Sequence, residues 1–355
     1  MRATLVSLML LSCTARGEPF SARAEVGRAR DAAATEGCFT LENARAPGGA
    51  PTTLVVRDGR VAEGDCARRV DAQGAFVTPA FVDSHVHLAY HPVHAALAAG
   101  GVAAAVDLAA PLASLDAPSG PLRVLSAGPM ITAPGGYPTQ SWGYDGYGLE
   151  CEGSECVAAV DRLAARGVRV IKVPLTGERQ LDDATLAGVV ERAHGHGLKV
   201  AVHALTEDAA RRAALAGADV LAHTPTEPLS DETLARWAER AVISTLGAFG
   251  GASRENLARL HAAGATVLYG TDLGNTRDAR IDPREIAALR EVGLDGAAIL
   301  AAGTRAPAAF WGMDDLGALE PGRAASFLLL DADPLLAPET LSTPRAVYLD
   351  GALIR

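Results

Sequence analysis

Apolar runs and one-sided helical patterns alternate through the middle of the chain with a regularity that predicts its architecture. Residues 198–203 form an almost unbroken apolar run, as expected of a strand buried on both faces. Just before it, Leu186, Val189, Val190 and Ala193 fall on one side of a helix that Asp182 caps and Gly195 or Gly197 ends. The unit then recurs. Thr206 opens a helix ended by Gly217, with a strand over 219–223; Ser230 opens the next, with a strand over 241–246; Ser253 opens another, ended by Gly264, with a strand over 265–271. Reading backward adds strands over 168–172, 122–127, 102–108 and 81–85. Strands and helices in this order predict an α/β fold, a (β/α)8 TIM barrel, whose chemistry sits at the C-terminal ends of its strands. A doubly wound open sheet is the rival, but no glycine-rich phosphate loop follows the first strand.

The ends of the chain read differently. Residues 52–61 are two β-branched runs about Asp58-Gly59, a hairpin signal, and 326–331 and 346–351 are again short strands. Such ends around a helical middle predict that they meet in a small β-sandwich. The resulting divisions are 36–78 and 317–355 for the two parts of the sandwich and 79–316 for the barrel. Residues 1–22 read as a signal and tether. The apolar stretch 3–11 falls short of the roughly 20 residues that cross a bilayer, yet suits the core of an export signal. Leu10-Leu11-Ser12-Cys13 resembles a bacterial lipobox, in which Cys13 is the lipidated residue. Residues 14–35 lack a sustained apolar face and extend the tether.

Composition narrows the partners. A net charge of -10 disfavours nucleic acid and anionic lipid surfaces, leaving a small-molecule substrate, with the membrane reached only through the lipid anchor. A homo-oligomer is compatible with the sequence. Of the 5 cysteines, assigning Cys13 to the lipid leaves Cys38, Cys66, Cys151 and Cys156, an even set able to form two disulfides. Cys151 and Cys156 flank a short loop, and Cys38 and Cys66 lie in neighbouring strand-like segments; four reduced thiols in a cytosolic enzyme are the alternative. No metal-type CxxC is present, which argues against a cysteine zinc site. The expected location is therefore exported, periplasmic or lipid-anchored in a bacterium.

The strand ends carry the chemistry. The first closes Val82-Asp83-Ser84-His85-Val86-His87, and alternation turns His85 and His87 to one face. Lys172 ends the fourth strand, His203 the fifth, His223 the sixth and Asp272 the eighth. Imidazoles with a carboxylate suit zinc, and manganese, iron or nickel remain open.

Together, Pro79-Ala80-Phe81-Val82-Asp83 before His85-x-His87, then Lys172, His203, His223 and Asp272, resemble the ligand set of the amidohydrolase superfamily, particularly its imidazolonepropionase-like and prolidase-like members. The resemblance runs from about residue 50 to the end and includes Gly317-Ala318-Leu319-Glu320-Pro321-Gly322 and the closing Asp350-Gly351. It departs at Ala324-Ala325-Ser326, where the family often has Ala-Asp, and at Tyr137, where relatives often carry histidine. The resemblance implies that His85, His87 and Asp272 hold one zinc, that His203 and His223 hold a second, and that Lys172 bridges them as N6-carboxylysine. An unmodified lysine beside a single cation is the alternative. It further implies cleavage of a C–N bond (amide, cyclic amide or peptide) by metal-activated water, with Asp272 as proton carrier. A lactonase or phosphoesterase using the same site, or a tethered binding lipoprotein without turnover, are the competing functions. The long loop after the third strand, with Tyr137 and Tyr144, and Arg277 after Asp272, are the substrate-contact candidates.

Overall fold

The computed structural model describes residues 37–355; Cys13, the signal and the tether lie outside them. Five strands open the described residues: β1 (Cys38–Arg45), β2 (Pro51–Arg57), β3 (Arg60–Ala62), β4 (Arg68–Asp71) and β5 (Phe76–Pro79). Asp58 and Gly59 have φ of 50 and 75°, the paired positive values that a two-residue hairpin turn demands, so β2 and β3 join as the sequence predicts.

Barrel strands follow: β6 (Phe81–Val86), β7 (Val102–Asp107) and β8 (Arg123–Ser126), then a side pair, β9 (Met130–Thr132) and β10 (Gly148–Glu150). β11 (Val170–Pro174), β12 (Lys199–His203), β13 (Val220–Leu221), β14 (Ala241–Ile243) and β15 (Thr266–Leu268) complete the set. β6 to β8 form one parallel run and β11 to β15 another. Backbone hydrogen bonds close the ring at both gaps. Arg169 N–H donates to the Ser126 carbonyl at 3.1 Å, and on the other side Ser84 N–H donates to Tyr269 at 2.9 Å and Asp272 N–H to His85 at 2.9 Å.

The helices are α1 (His94–Ala99), α2 (Ser154–Ala165), α3 (Asp183–Gly195), α4 (Glu207–Ala216), α5 (Asp231–Trp237), α6 (Ser253–Ala262), α7 (Pro283–Glu291), α8 (Gly296–Gly303) and α9 (Arg305–Phe310). Their starts are legible in the caps. Asp182 accepts Thr185 N–H at 2.7 Å, Thr206 accepts Ala209 N–H at 3.2 Å, and Ser230 accepts Thr233 N–H at 3.2 Å. Gly217 ends α4 with φ 90°, which a glycine adopts without strain. Ser253 instead is the first residue inside α6, after the cap Ala252.

At the C-terminus β16 (Phe327–Leu330), β17 (Ala346–Leu349) and β18 (Ala352–Leu353) return to the N-terminal strands. β16 pairs antiparallel with β5, so the ends meet as expected, in one sheet ordered β18-β17-β16-β5-β1-β2-β3 with β4 also on β1. The sheet has a core of its own, with Phe39, Leu41, Val56 and Val77 around Phe327, whose ring stacks on Tyr348 at 4.5 Å. Cys38 pairs with Cys66 and Cys151 with Cys156, across Cα separations of 5.5 and 5.1 Å. No helix among the described residues is long and apolar enough to cross a membrane.

Packing against β6 is tight. Phe81 meets Tyr269 edge-on at 5.3 Å, and a Cβ added at Gly303 of α8 would stand 2.2 Å from the Phe81 ring. Gly303→Ala is therefore expected to cost about 1–3 kcal/mol by overpacking. Chemical denaturation reads this loss, and an unchanged midpoint would refute the close approach.

Candidate metal centre

Five barrel strands deliver the six predicted side chains to one buried rim. His85 and His87 leave the end of β6, Lys172 lies in β11, His203 ends β12, and His223 and Asp272 follow β13 and β15 within two and four residues. His85, His87 and Asp272 offer donor atoms that all lie within 4.8 Å of one another. Asp272 Oδ1 stands 3.1 Å from His87 Nε2 and 3.5 Å from His85 Nε2. Asp272 holds φ at 55°, and Asn275 Nδ2 donates to both of its oxygens, at 3.1 and 3.2 Å. The His223 ring lies 4.4 Å from that of His85 and 4.6 Å from that of His203.

Burial disfavours the charged form of three of the imidazoles, His85, His203 and His223, and hydrogen bonds aim two of them. Burial pushes His203 down to about 3 and takes His85 and His223 well below the ordinary histidine value, with the Lys172 charge acting the same way on all three. His85 Nδ1 donates to the Ala222 carbonyl at 2.7 Å, which leaves Nε2 with its lone pair toward Asp272. His223 Nδ1 lies 3.1 Å from Thr245 Oγ1, an arrangement that frees its Nε2 likewise. The Lys172 amine is fully buried without a hydrogen-bond partner, and desolvation lowers it to about 7. Buried imidazoles, a carboxylate and an unsatisfied amine form a donor set that fits divalent cations.

Residues 76–354 match the amidohydrolase family. The chain belongs to that family. This amidohydrolase is thus a hydrolase of carbon–nitrogen bonds, from a family generally dependent on divalent metal. It is 29% identical over 270 residues to an uncharacterised protein of Mycobacterium bovis, covering 64% of this chain and 68% of the relative. Among solved structures it resembles an amidohydrolase with a TM-score of 0.77 at 21% identity, over 89% of this chain and 98% of the other. A Xaa-Pro dipeptidase with bound methionine has a TM-score of 0.77 at 19% identity, over 89% and 99% of the two chains. At these identities the likeness is one of fold, and it agrees with the predicted barrel.

Above the centre lies a cleft of about 940 Å³, lined by His203, Asp272 and an aromatic group. Tyr137 packs on His203 at 5.3 Å and accepts a hydrogen bond from Trp142 Nε1 at 2.7 Å, while Trp142 packs on His87 at 5.0 Å. Arg277 lines the cleft, with its guanidinium over the Tyr90 ring at 5.8 Å. Tyr144, expected beside the substrate, is 75% exposed and outside the lining, whereas Tyr147 of the same loop is buried against Trp142 at 5.3 Å.

Several contributors escape a reading of the sequence. Asp83 is buried beneath the histidines, accepting from Thr271 Oγ1 at 2.6 Å and from the His85 and Thr271 amides at 3.1 Å each, and burial raises it to about 7. Its place two residues before His85, on the same strand face, was the available signal. Asp107 accepts the Ala89 and Ala109 amides at 3.0 and 3.2 Å, and burial raises it to about 6. Phe249, 4.5 Å from the His223 ring, sits in a loop whose sequence carries no such mark.

Proposed function

We propose that this amidohydrolase cleaves the amide, cyclic amide or peptide C–N bond of a small molecule using two divalent cations, most simply zinc. His85, His87 and Asp272 would hold one cation and His203 and His223 the other, with Lys172 joining them as N6-carboxylysine. The observation that carries this reading is the Lys172 amine. An ammonium so deeply buried, with no hydrogen bond and only the Asp272 charge to favour it, is costly, whereas a neutral amine would add to carbon dioxide, forming the N–C bond, releasing a proton and becoming an anion able to serve cations.

Bound cations supply Lewis acidity, which lowers the pKa of a water and polarises the carbonyl. The protein's own groups do the rest. Asp272, steadied by Asn275, accepts the proton of the attacking water and passes it to the leaving nitrogen. The Asp83–Thr271 hydrogen bond holds the ends of the first and last barrel strands together, and with them His85 and Asp272. Tyr137, Trp142 and Phe249 form the dry wall that receives an apolar or ring-bearing part of the substrate. Arg277, which lines the cleft and makes no ion pair among the described residues, would pair with an anionic group of the substrate.

Export rests on the two disulfides and on the sequence of residues 1–22, with Cys13 as the acylated residue. The test of function is metal removal. Dialysis against a chelator is expected to abolish hydrolysis across a panel of N-acyl amino acids, cyclic amides and dipeptides, and zinc to restore it. Turnover that survives with less than a tenth of an equivalent of metal by elemental analysis, an order-of-magnitude threshold set by the scale of metal-assisted catalysis, would sink the proposal.

A further inference from the structure

One buried carboxylate reaches the wall of the cleft without a part in the hydrolytic chemistry. Glu285, in the first turn of α7, is 1% exposed. Its Oε1 accepts the Leu246 N–H at 3.0 Å and its Oε2 the Gly247 N–H at 2.7 Å. Both amides belong to the loop between β14 and α6, so a helix two elements further along the chain grips that loop at two consecutive residues. Burial raises the Glu285 carboxyl to about 7, and the two amide bonds oppose that rise by favouring its charged form.

The gripped loop touches the metal centre on both sides of the clamp. Before it, Thr245 is held at φ 45° and sets its Oγ1 3.1 Å from His223 Nδ1. After it, Phe249 lays its ring 4.5 Å from that of His223 and 6.3 Å from that of His203. α7 is itself tied to the eighth strand's end, since Asp282 caps it through the Arg284 amide at 2.8 Å and donates its own N–H to the Tyr269 hydroxyl at 2.7 Å. The path from barrel to helix to loop to imidazole is thus made of direct hydrogen bonds and one ring contact.

We infer that Glu285 is a positioning residue: by clamping the Leu246 and Gly247 amides it sets, through Thr245 and Phe249, how the His223 imidazole presents its Nε2 to a cation. This assignment rests on the two-cation reading above. It concerns a group that touches neither substrate nor cation, and it predicts an effect of a kind that partners of metal ligands exert, about 10–100-fold in metal affinity.

Glu285→Gln is the decisive variant. It keeps size and one acceptor, but turns an amide NH2 toward one of the two backbone N–H groups. Cobalt(II) is added to the metal-free full chain, its visible spectrum is recorded, and its affinity is measured by competition with a chelator. Hydrogen exchange is followed over residues 244–252. The expected result is exchange about tenfold or more faster in that segment, a shifted cobalt spectrum, and retention of the more weakly held cation reduced about 10–100-fold. Thr245→Val should produce a similar spectral change, and the double variant should add little to either single one, because both act through one loop. Glu291→Gln, an exposed site on the same helix paired with Arg254, should change none of these readouts.

A Glu285→Gln protein that only melts earlier, with wild-type cobalt spectrum and affinity, would reduce Glu285 to a structural anchor and overturn the assignment. If that variant does not fold, Glu285→Asp, which keeps both oxygens on a shorter arm, is judged by the same criteria. Failure of the wild-type chain itself to take up cobalt would instead bring down the two-cation reading, a different result from a variant that matches a metal-binding wild type.

Discussion

Asp272→Asn is expected to reduce turnover roughly 10³-fold while metal content falls only in part, within the range of about 10²–10⁴ attributed to a positioned proton carrier. The substitution is isosteric, so the backbone bonds of residue 272, including its N–H to the His85 carbonyl at 2.9 Å, have no reason to change. One side-chain oxygen also survives to face His85 and His87. What disappears, on the proposed mechanism, is the ability to take a proton from water and give it to the departing nitrogen. The two consequences separate in one preparation: steady-state kinetics reads the proton transfer, and elemental analysis reads the ligand. A variant that turns over within a few-fold of wild type would remove Asp272 from the chemistry. One that loses activity strictly in proportion to its metal would make it a ligand alone.

Lys172→Met separates function from stability in opposite directions. The lysine amine is buried and makes no hydrogen bond, so the metal-free chain tolerates it at a cost of about 1–3 kcal/mol, typical of an unsatisfied buried polar group. Methionine fills a similar volume without a polar atom. The metal-free Lys172→Met protein should therefore unfold at higher denaturant concentration than the metal-free wild type. Its zinc content should drop from about two equivalents to about one, and its activity by roughly 10²-fold or more, as when a cation that polarises the carbonyl is lost. Two retained equivalents would exclude the bridge. A destabilised metal-free variant would mean that the amine has a partner in the folded protein.

Much of this centre was legible because barrel architecture converts sequence position into spatial position. Once His203, His223 and Asp272 are read as strand ends, their meeting on one rim follows, and the caps at Asp182, Thr206 and Ser230 fix the phase of the alternation. What stayed hidden depends on contacts between distant segments. Glu285 reads as an ordinary acidic residue in the first turn of a helix, and only its bonds to Leu246 and Gly247 give it a different role. Phe249 and Tyr144 are both aromatic residues in loops, yet one packs on the histidines and the other faces solvent. Periodicity carries no information about that choice, because irregular backbone sets the direction of each side chain. The β9–β10 pair was likewise unread, its three-residue strands being too short to announce themselves within a long loop.

Ring closure has a consequence for the order of events in biosynthesis. Ser84 and His85 bond to Tyr269 and Asp272, and 188 positions separate Asp83 from its partner Thr271. A nascent polypeptide halted before the eighth strand would carry both early histidines and still lack the carboxylate opposite them. Uptake of a cation by that trio, as proposed, would therefore report that the seam between first and last strands has zipped shut, and the ion's binding energy would be credited to the finished barrel instead of any partly built intermediate.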